Sequence, residues 1–170
     1  MEPDVKATLS SFRCIDALEV SLNIEKQGFV FYDKAARAAV DPRVRTIFSR
    51  LANEEKEHIQ SLQNKARFLQ PALTKKTFSR KSKAENFIKN ELEGKVFPVP
   101  GCDEGEVKSD LEALNIGIKA ERRSIEVLSR LINDENKMDV RMIFNHLLAE
   151  ERKHLVALEE LKLTLGSEMS

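Results

Sequence analysis

The chain has 170 residues, 28 of them basic and 28 acidic, so a third of it is charged and the net charge is zero. That length suits one domain with a buried core, and the balanced charge gives no basis for binding nucleic acid or a membrane surface. No apolar run approaches the roughly 20 residues that span a bilayer, and Met1-Glu2-Pro3-Asp4 lacks the basic start and apolar core of a signal peptide. Cys14 and Cys102 stand alone, outside any Cys-x-x-Cys pattern, so a reducing, cytoplasmic setting is expected. Trp is absent, Gly is sparse, and Ala, Leu, Glu, Lys and Arg are abundant, a composition that leans helical.

A first helix is expected from Ser10 or Ser11 to about Ala39, with Leu18, Leu22, Phe29, Tyr32 and Ala36 spaced along one face. Asp41-Pro42 ends it, because the residue before proline resists helical geometry and proline suits the next first turn. The second helix runs from about Pro42 to Leu69, turning Ile47, Leu51, Leu62 and Leu69 inward, with Pro71 beyond its end. So short a connection makes an antiparallel hairpin. From Pro71 to about Gly105 the periodicity breaks. Ser82-x-x-Glu85 reads as a capping box for a short helix carrying Ala84, Phe87, Ile88 and Leu92 and ended by Gly94. Pro98 and Pro100 forbid helix beyond it. A connection of this length is unusual in a compact domain unless it travels the length of a bundle. The third helix covers roughly Glu106 to Ile132, facing inward with Leu114, Ile118, Ile125 and Leu128. After a polar turn at 133–136, the fourth runs from about Lys137 to Leu165 along Ile143, Leu147, Leu158, Leu161 and Leu165, and Gly166 terminates it. Met138, Met142 and the Phe residues read as packing; the basic stretch Lys75, Lys76, Arg80, Lys81 and Lys83 reads as a solvated face of the crossover. The expected fold is all-α: one ferritin-like four-helix bundle over 1–170, with hairpins at about 11–69 and 106–165 joined by a long crossover at about 70–105.

The pattern Ile-Phe-x-x-Leu-x-x-Glu-Glu-x-x-His occurs twice, 96 residues apart. The first copy is Ile47, Phe48, Leu51, Glu54, Glu55 and His58; the second is Ile143, Phe144, Leu147, Glu150, Glu151 and His154. The register extends upstream, where Ala17, Leu18 and Glu25 match Ala113, Leu114 and Glu121. Glu25 interrupts the apolar stripe between Leu22 and Phe29, and Glu121 does so between Ile118 and Ile125. Glu55 and His58 lie between Leu51 and Leu62 on theirs, as Glu151 and His154 lie between Leu147 and Leu158. All six therefore face the core. At about 1.5 Å per residue each pair sits roughly 22 Å from its hairpin turn, so the two halves meet near mid-bundle. Four uncompensated carboxylates there would cost several kcal/mol per charge and raise one another's pKa. Two divalent cations balance them, and the imidazoles complete the coordination as neutral donors. Oxygen and nitrogen donors without thiolate suit iron, or manganese, better than structural zinc; the expected cofactor is two divalent transition-metal ions, iron first, with manganese or zinc as alternatives. A single Glu-x-x-His is ordinarily a solvated pair, and the doubling in register is what separates this case. Glu54 and Glu150 are duplicated too but turned about 100° from the stripe, on the flank. Tyr32, two turns beyond Glu25 on the same face, is either core packing or a hydrogen-bond donor to a ligand carboxylate. Its counterpart Leu128 makes any such role one-sided.

From about Asp16 to Leu165 these residues resemble the rubrerythrin branch of the ferritin-like diiron proteins, including Glu25 followed at the seventh place by Tyr32. The resemblance implies Glu25 and Glu121 as ligands from the lone-Glu helices, Glu55 and Glu151 as carboxylates bridging two metals, and His58 and His154 as nitrogen ligands. It also implies a non-haem diiron oxidoreductase that reduces hydrogen peroxide or dioxygen, and a homodimer. Two departures matter. Ser124 stands where rubrerythrins carry an extra carboxylate, and the Cys-x-x-Cys pairs of a rubredoxin-like domain are missing, so an external electron donor is expected. The lack of a fifth helix weakens a storage shell. A ferroxidase or iron-handling protein without peroxidase turnover remains open, as does a helical module whose metals only join the hairpins.

Overall fold

The structure, a computed structural model, describes residues 12–69, 83–99 and 107–168. All regular structure among them is helical: α1 (Cys14–Ala38), α2 (Pro42–Leu69), α3 (Lys83–Phe87), α4 (Asp110–Asp134) and α5 (Met138–Glu168). A π-helical turn, Ile88–Leu92, continues α3. Ser10, Ser11, Ser82, Cys102 and the basic stretch from Lys75 to Lys81 lie outside the described residues. The ferritin-like bundle expected from the sequence is present.

Polar contacts at the helix ends fix the topology. The Asp110 carboxylate, in the first turn of α4, accepts from the backbone N–H groups of Val40 (3.1 Å) and Asp41 (2.6 Å) in the α1–α2 turn. The Glu135 carboxylate, in the α4–α5 turn, accepts from the N–H of Phe12 just before α1 (3.1 Å) and from Asn136 and Lys137 (2.9 Å each). One end of the bundle thus holds the α1–α2 turn and the start of α4; the other holds the α4–α5 turn and the start of α1. α1 and α5 run one way, α2 and α4 the other. The crossover must therefore travel the bundle's length, which explains its size. It packs against α1: Phe87 meets Phe12 edge-on at 5.7 Å, and Phe97 packs on Phe31 and Tyr32 at 5.6 and 5.8 Å. Gly94 ends its helical part at φ +67°, a left-handed conformation that favours glycine.

Several expected boundaries and faces shift. α1 starts at Cys14 rather than Ser10 or Ser11, because Asp16 caps it, accepting from the Arg13 N–H at 2.9 Å. α4 starts at Asp110 rather than Glu106, with the Ser109 hydroxyl accepting from the Glu112 N–H at 3.1 Å. Gly166 terminates nothing: the helix continues to Glu168, whose carboxylate pairs with Arg43 at 2.7 Å. Leu22, Phe29, Ile47, Ile125 and Ile143 are only half-buried, and Ala17, Ile24, Phe48 and Phe144 lie deeper. Met138 and Met142 are not packing residues; they are 68% and 64% exposed, and Phe68 is exposed with them.

Candidate metal centre

The four long helices bring all six repeat-derived residues together. α1 supplies Glu25, α2 Glu55 and His58, α4 Glu121, and α5 Glu151 and His154. The four carboxylates and His154 are each at most 1% exposed. His154 Nδ1 lies 3.4 Å from Glu55, 3.6 Å from Glu121 and 3.7 Å from Glu151. His58 Nδ1 lies 3.3 Å from Glu25. The imidazoles face each other, 6.1 Å between centroids and 17° from parallel. Donor atoms of Glu55, Glu121, Glu151 and His154 all fall within 4.8 Å of one another, and so do those of Glu25, Glu55 and His58. Glu55 is common to both groups. The halves are unequal in one respect: the His58 side chain is 23% exposed, so the first half is less sealed than mid-bundle placement suggested.

The surroundings add residues that sequence reasoning undervalued. Glu54 reaches across the hairpin boundary to His154, with Oε2 at 3.2 Å from Nε2, and Glu150 approaches His58 Nε2 at 3.8 Å. Each imidazole thus turns Nδ1 to the cluster and Nε2 to the flanking carboxylate of the opposite copy. Such a partner fixes the ring orientation and raises the basicity of the inward nitrogen. The duplicated Glu-Glu pair was the available signal. Tyr32 is more than core packing: it is fully buried, stacks on Phe48 at 5.8 Å, and donates its hydroxyl to Glu121. Gly28 is a second omission. A Cβ there would lie 2.6 Å from Glu55 Oε1 and 3.1 Å from its Cδ, so the bare backbone makes the space the carboxylate occupies. Small residues bracket both lone carboxylates in register: Ser21 and Gly28 around Glu25, Gly117 and Ser124 around Glu121. All four are buried.

Electrostatics and hydrogen bonding both fit a cation here. Buried polar atoms are normally paired, yet Glu25 Oε2, Glu55 Oε2, Glu121 Oε2, both oxygens of Glu151, His58 Nδ1 and both nitrogens of His154 make no aligned hydrogen bond. In the metal-free chain, burial foremost, then the neighbouring Glu25, pushes the Glu55 carboxyl well above the ordinary range. Burial and Glu121 do the same to Glu151. Burial disfavours the charged form of His154, but Glu121, Glu151 and Glu55 outweigh it and raise its pKa. Contact with Glu25 raises that of His58. Burial, then Glu121, raises the Tyr32 phenol, which keeps its proton and remains a donor. Without a cation, burial and their neighbours hold Glu55 and Glu151 toward their protonated forms. A metal would replace those protons and take up the unaligned lone pairs.

An antiparallel pair of helical hairpins with a long crossover, enclosing a buried carboxylate and imidazole cluster that can hold metal, defines the ferritin-like class. Within that class, the protein-family model for rubrerythrin matches residues 16–162. The chain belongs to the rubrerythrin family. Searches of curated proteins and of solved structures returned no match. Among the described residues, no helix is long and apolar enough to cross a membrane.

Proposed function

We propose that this chain is a diiron oxidoreductase that reduces hydrogen peroxide, or dioxygen, with electrons from an external donor. Glu25, Glu55, His58, Glu121, Glu151 and His154 would hold two iron ions. The supporting observation is the cluster itself: four buried carboxylates and two imidazoles, from four helices, whose facing atoms lack aligned hydrogen bonds. When bound, the reduced iron pair supplies one electron per ion and a Lewis-acidic surface for cleaving an O–O bond.

The chain's own residues do the rest. Glu54 and Glu150 face the outer Nε2 of His154 and His58 at 3.2 and 3.8 Å and would orient each imidazole with Nδ1 inward once metal is bound. Tyr32 binds Glu121 through its phenolic proton and screens that side together with Phe48 and Phe97. Reduction of peroxide to two waters consumes two electrons and two protons. His58 and Glu150, the partly exposed members, stand where protons are relayed from solvent. A narrow cavity reaches Glu25 and His58 from the surface on this side.

Anaerobic stopped-flow mixing of the reduced, iron-loaded protein with hydrogen peroxide tests the proposal. Oxidation within seconds, with two electrons consumed per centre and repeatable after re-reduction, is expected. A spectrum that stays reduced for minutes overturns the enzymatic reading. Oxidation that releases or accumulates iron instead of turning over makes the chain an iron-handling protein.

A further inference from the structure

The two halves of the centre differ at the surface, and the difference lies one turn before the Glu-Glu pair. Position 146 corresponds to position 50 in the repeat: His146 in the second copy, Arg50 in the first. Arg50 lies 3.6 Å from Glu54, and Glu54 lies 3.2 Å from His154, which is 1% exposed. On that side a permanently charged guanidinium, itself half-exposed, stands where the other side carries an imidazole. His146 shares a helix face with Glu150 one turn later, and Glu150 lies beside His58, which reaches solvent. A ≈ 30 Å³ cavity opens here, lined at its inner end by Glu25 and at its outer end by His146, Glu150 and Ser61. Glu25 is 1% exposed, and its Oε2 has no aligned hydrogen bond. The space holds a body about the size of one water molecule, which suits a cation shedding its hydration shell. Two cations face the same mouth: Lys65 on its rim, and Lys153, which pairs with Glu150 at 2.7 Å. They compete with an incoming ion without occupying the imidazole nitrogens.

We infer that divalent cations enter the centre through this mouth, with His146 and Glu150 forming an outer station that passes the ion to His58 and Glu25. The inference rests on the metal-centre reading given above. Its carboxylate and imidazole donors select a borderline divalent cation such as Fe(II), Co(II), Mn(II) or Zn(II).

The test uses the whole metal-free chain and Co(II), followed by its absorption after stopped-flow mixing and by ion count at saturation. His146→Arg places on this side the residue that occupies the corresponding position in the first copy. Ser61→Phe blocks the mouth sterically while leaving every charge in place. Loading at least about fivefold slower in either variant, with the wild-type ion count at saturation, supports the inference; on-rates at charged clefts change by at least this much. Wild-type rates in both variants overturn it. So does a lower count at saturation, which would make the altered residue part of the centre. If the wild-type chain binds no cobalt, the metal-centre reading itself fails.

Discussion

Gly28→Ala is the most selective perturbation of the site, because it adds one methyl group and no charge. In an ordinary helix interior the change stabilises by roughly 0.5–1 kcal/mol, since alanine loses less conformational freedom on folding. Here the new Cβ would lie 2.6 Å from Glu55 Oε1. An ordinary non-bonded contact is about 3.5 Å, so the carboxylate must retreat by roughly 0.5–1 Å. The free chain absorbs that by rotating one side chain and keeps most of the helix gain. Bound metal does not, because Glu55 belongs to both donor groups. Displacing a positioning contact at a metal site costs about 10–100-fold in affinity, or roughly 1.4–2.7 kcal/mol. The assay is a Co(II) or Fe(II) competition titration beside thermal melts of the metal-free protein. The expected result is metal affinity down about tenfold or more with metal-free stability within about 1 kcal/mol of wild type. Wild-type affinity in Gly28→Ala would refute the argument that glycine is there to make room for Glu55.

Three further outcomes follow from the same geometry. The folded-state pKa values of Glu55, Glu151 and His154 are raised. Their stabilisation of the metal-free bundle is therefore fully present below the unfolded values, about 4.3 for Glu and 6.5 for His, and is lost as pH rises through the folded ones. Melts of the metal-free protein should show lower Tm at pH 8 than at pH 6, and saturating metal, which binds the deprotonated ligands, should abolish or reverse the trend; a metal-free Tm that rises over that interval would contradict it. Tyr32→Phe removes the hydroxyl that Glu121 accepts from, and urea unfolding of the metal-free chain should show a loss of about 1–3 kcal/mol. Glu54→Ala removes the carboxylate 3.2 Å from His154 Nε2 and should weaken metal binding about 10–100-fold by titration, with a smaller change in the melt.

The doubled motif made the bundle, the crossover and the six core-facing residues readable, because helical periodicity and a 96-residue register are both properties of one chain. What escaped depends on how helices sit against each other. Glu54 and Glu150 look like flank residues on a single helical wheel; only the closeness of α2 and α5 carries them to the opposite imidazoles. Gly28 looks like a weak helix residue until the Glu55 carboxylate is placed against it. The start of α1 differs from the expected serine because its cap is Asp16 inside the helix, reached from Arg13. Gly166 misled in the opposite sense, as a terminator that keeps helical geometry. Met138 and Met142 read as packing by hydrophobicity alone, which does not say how wide a helix's buried stripe is.

The most direct measurement of the central claim is metal content combined with an anomalous-difference map from crystals of protein purified without added metal. Two transition-metal atoms per chain, both lying among Glu25, Glu55, His58, Glu121, Glu151 and His154, are expected. A cluster free of metal, with every ion bound at the surface, would contradict the claim and remove the basis for any redox chemistry at this site.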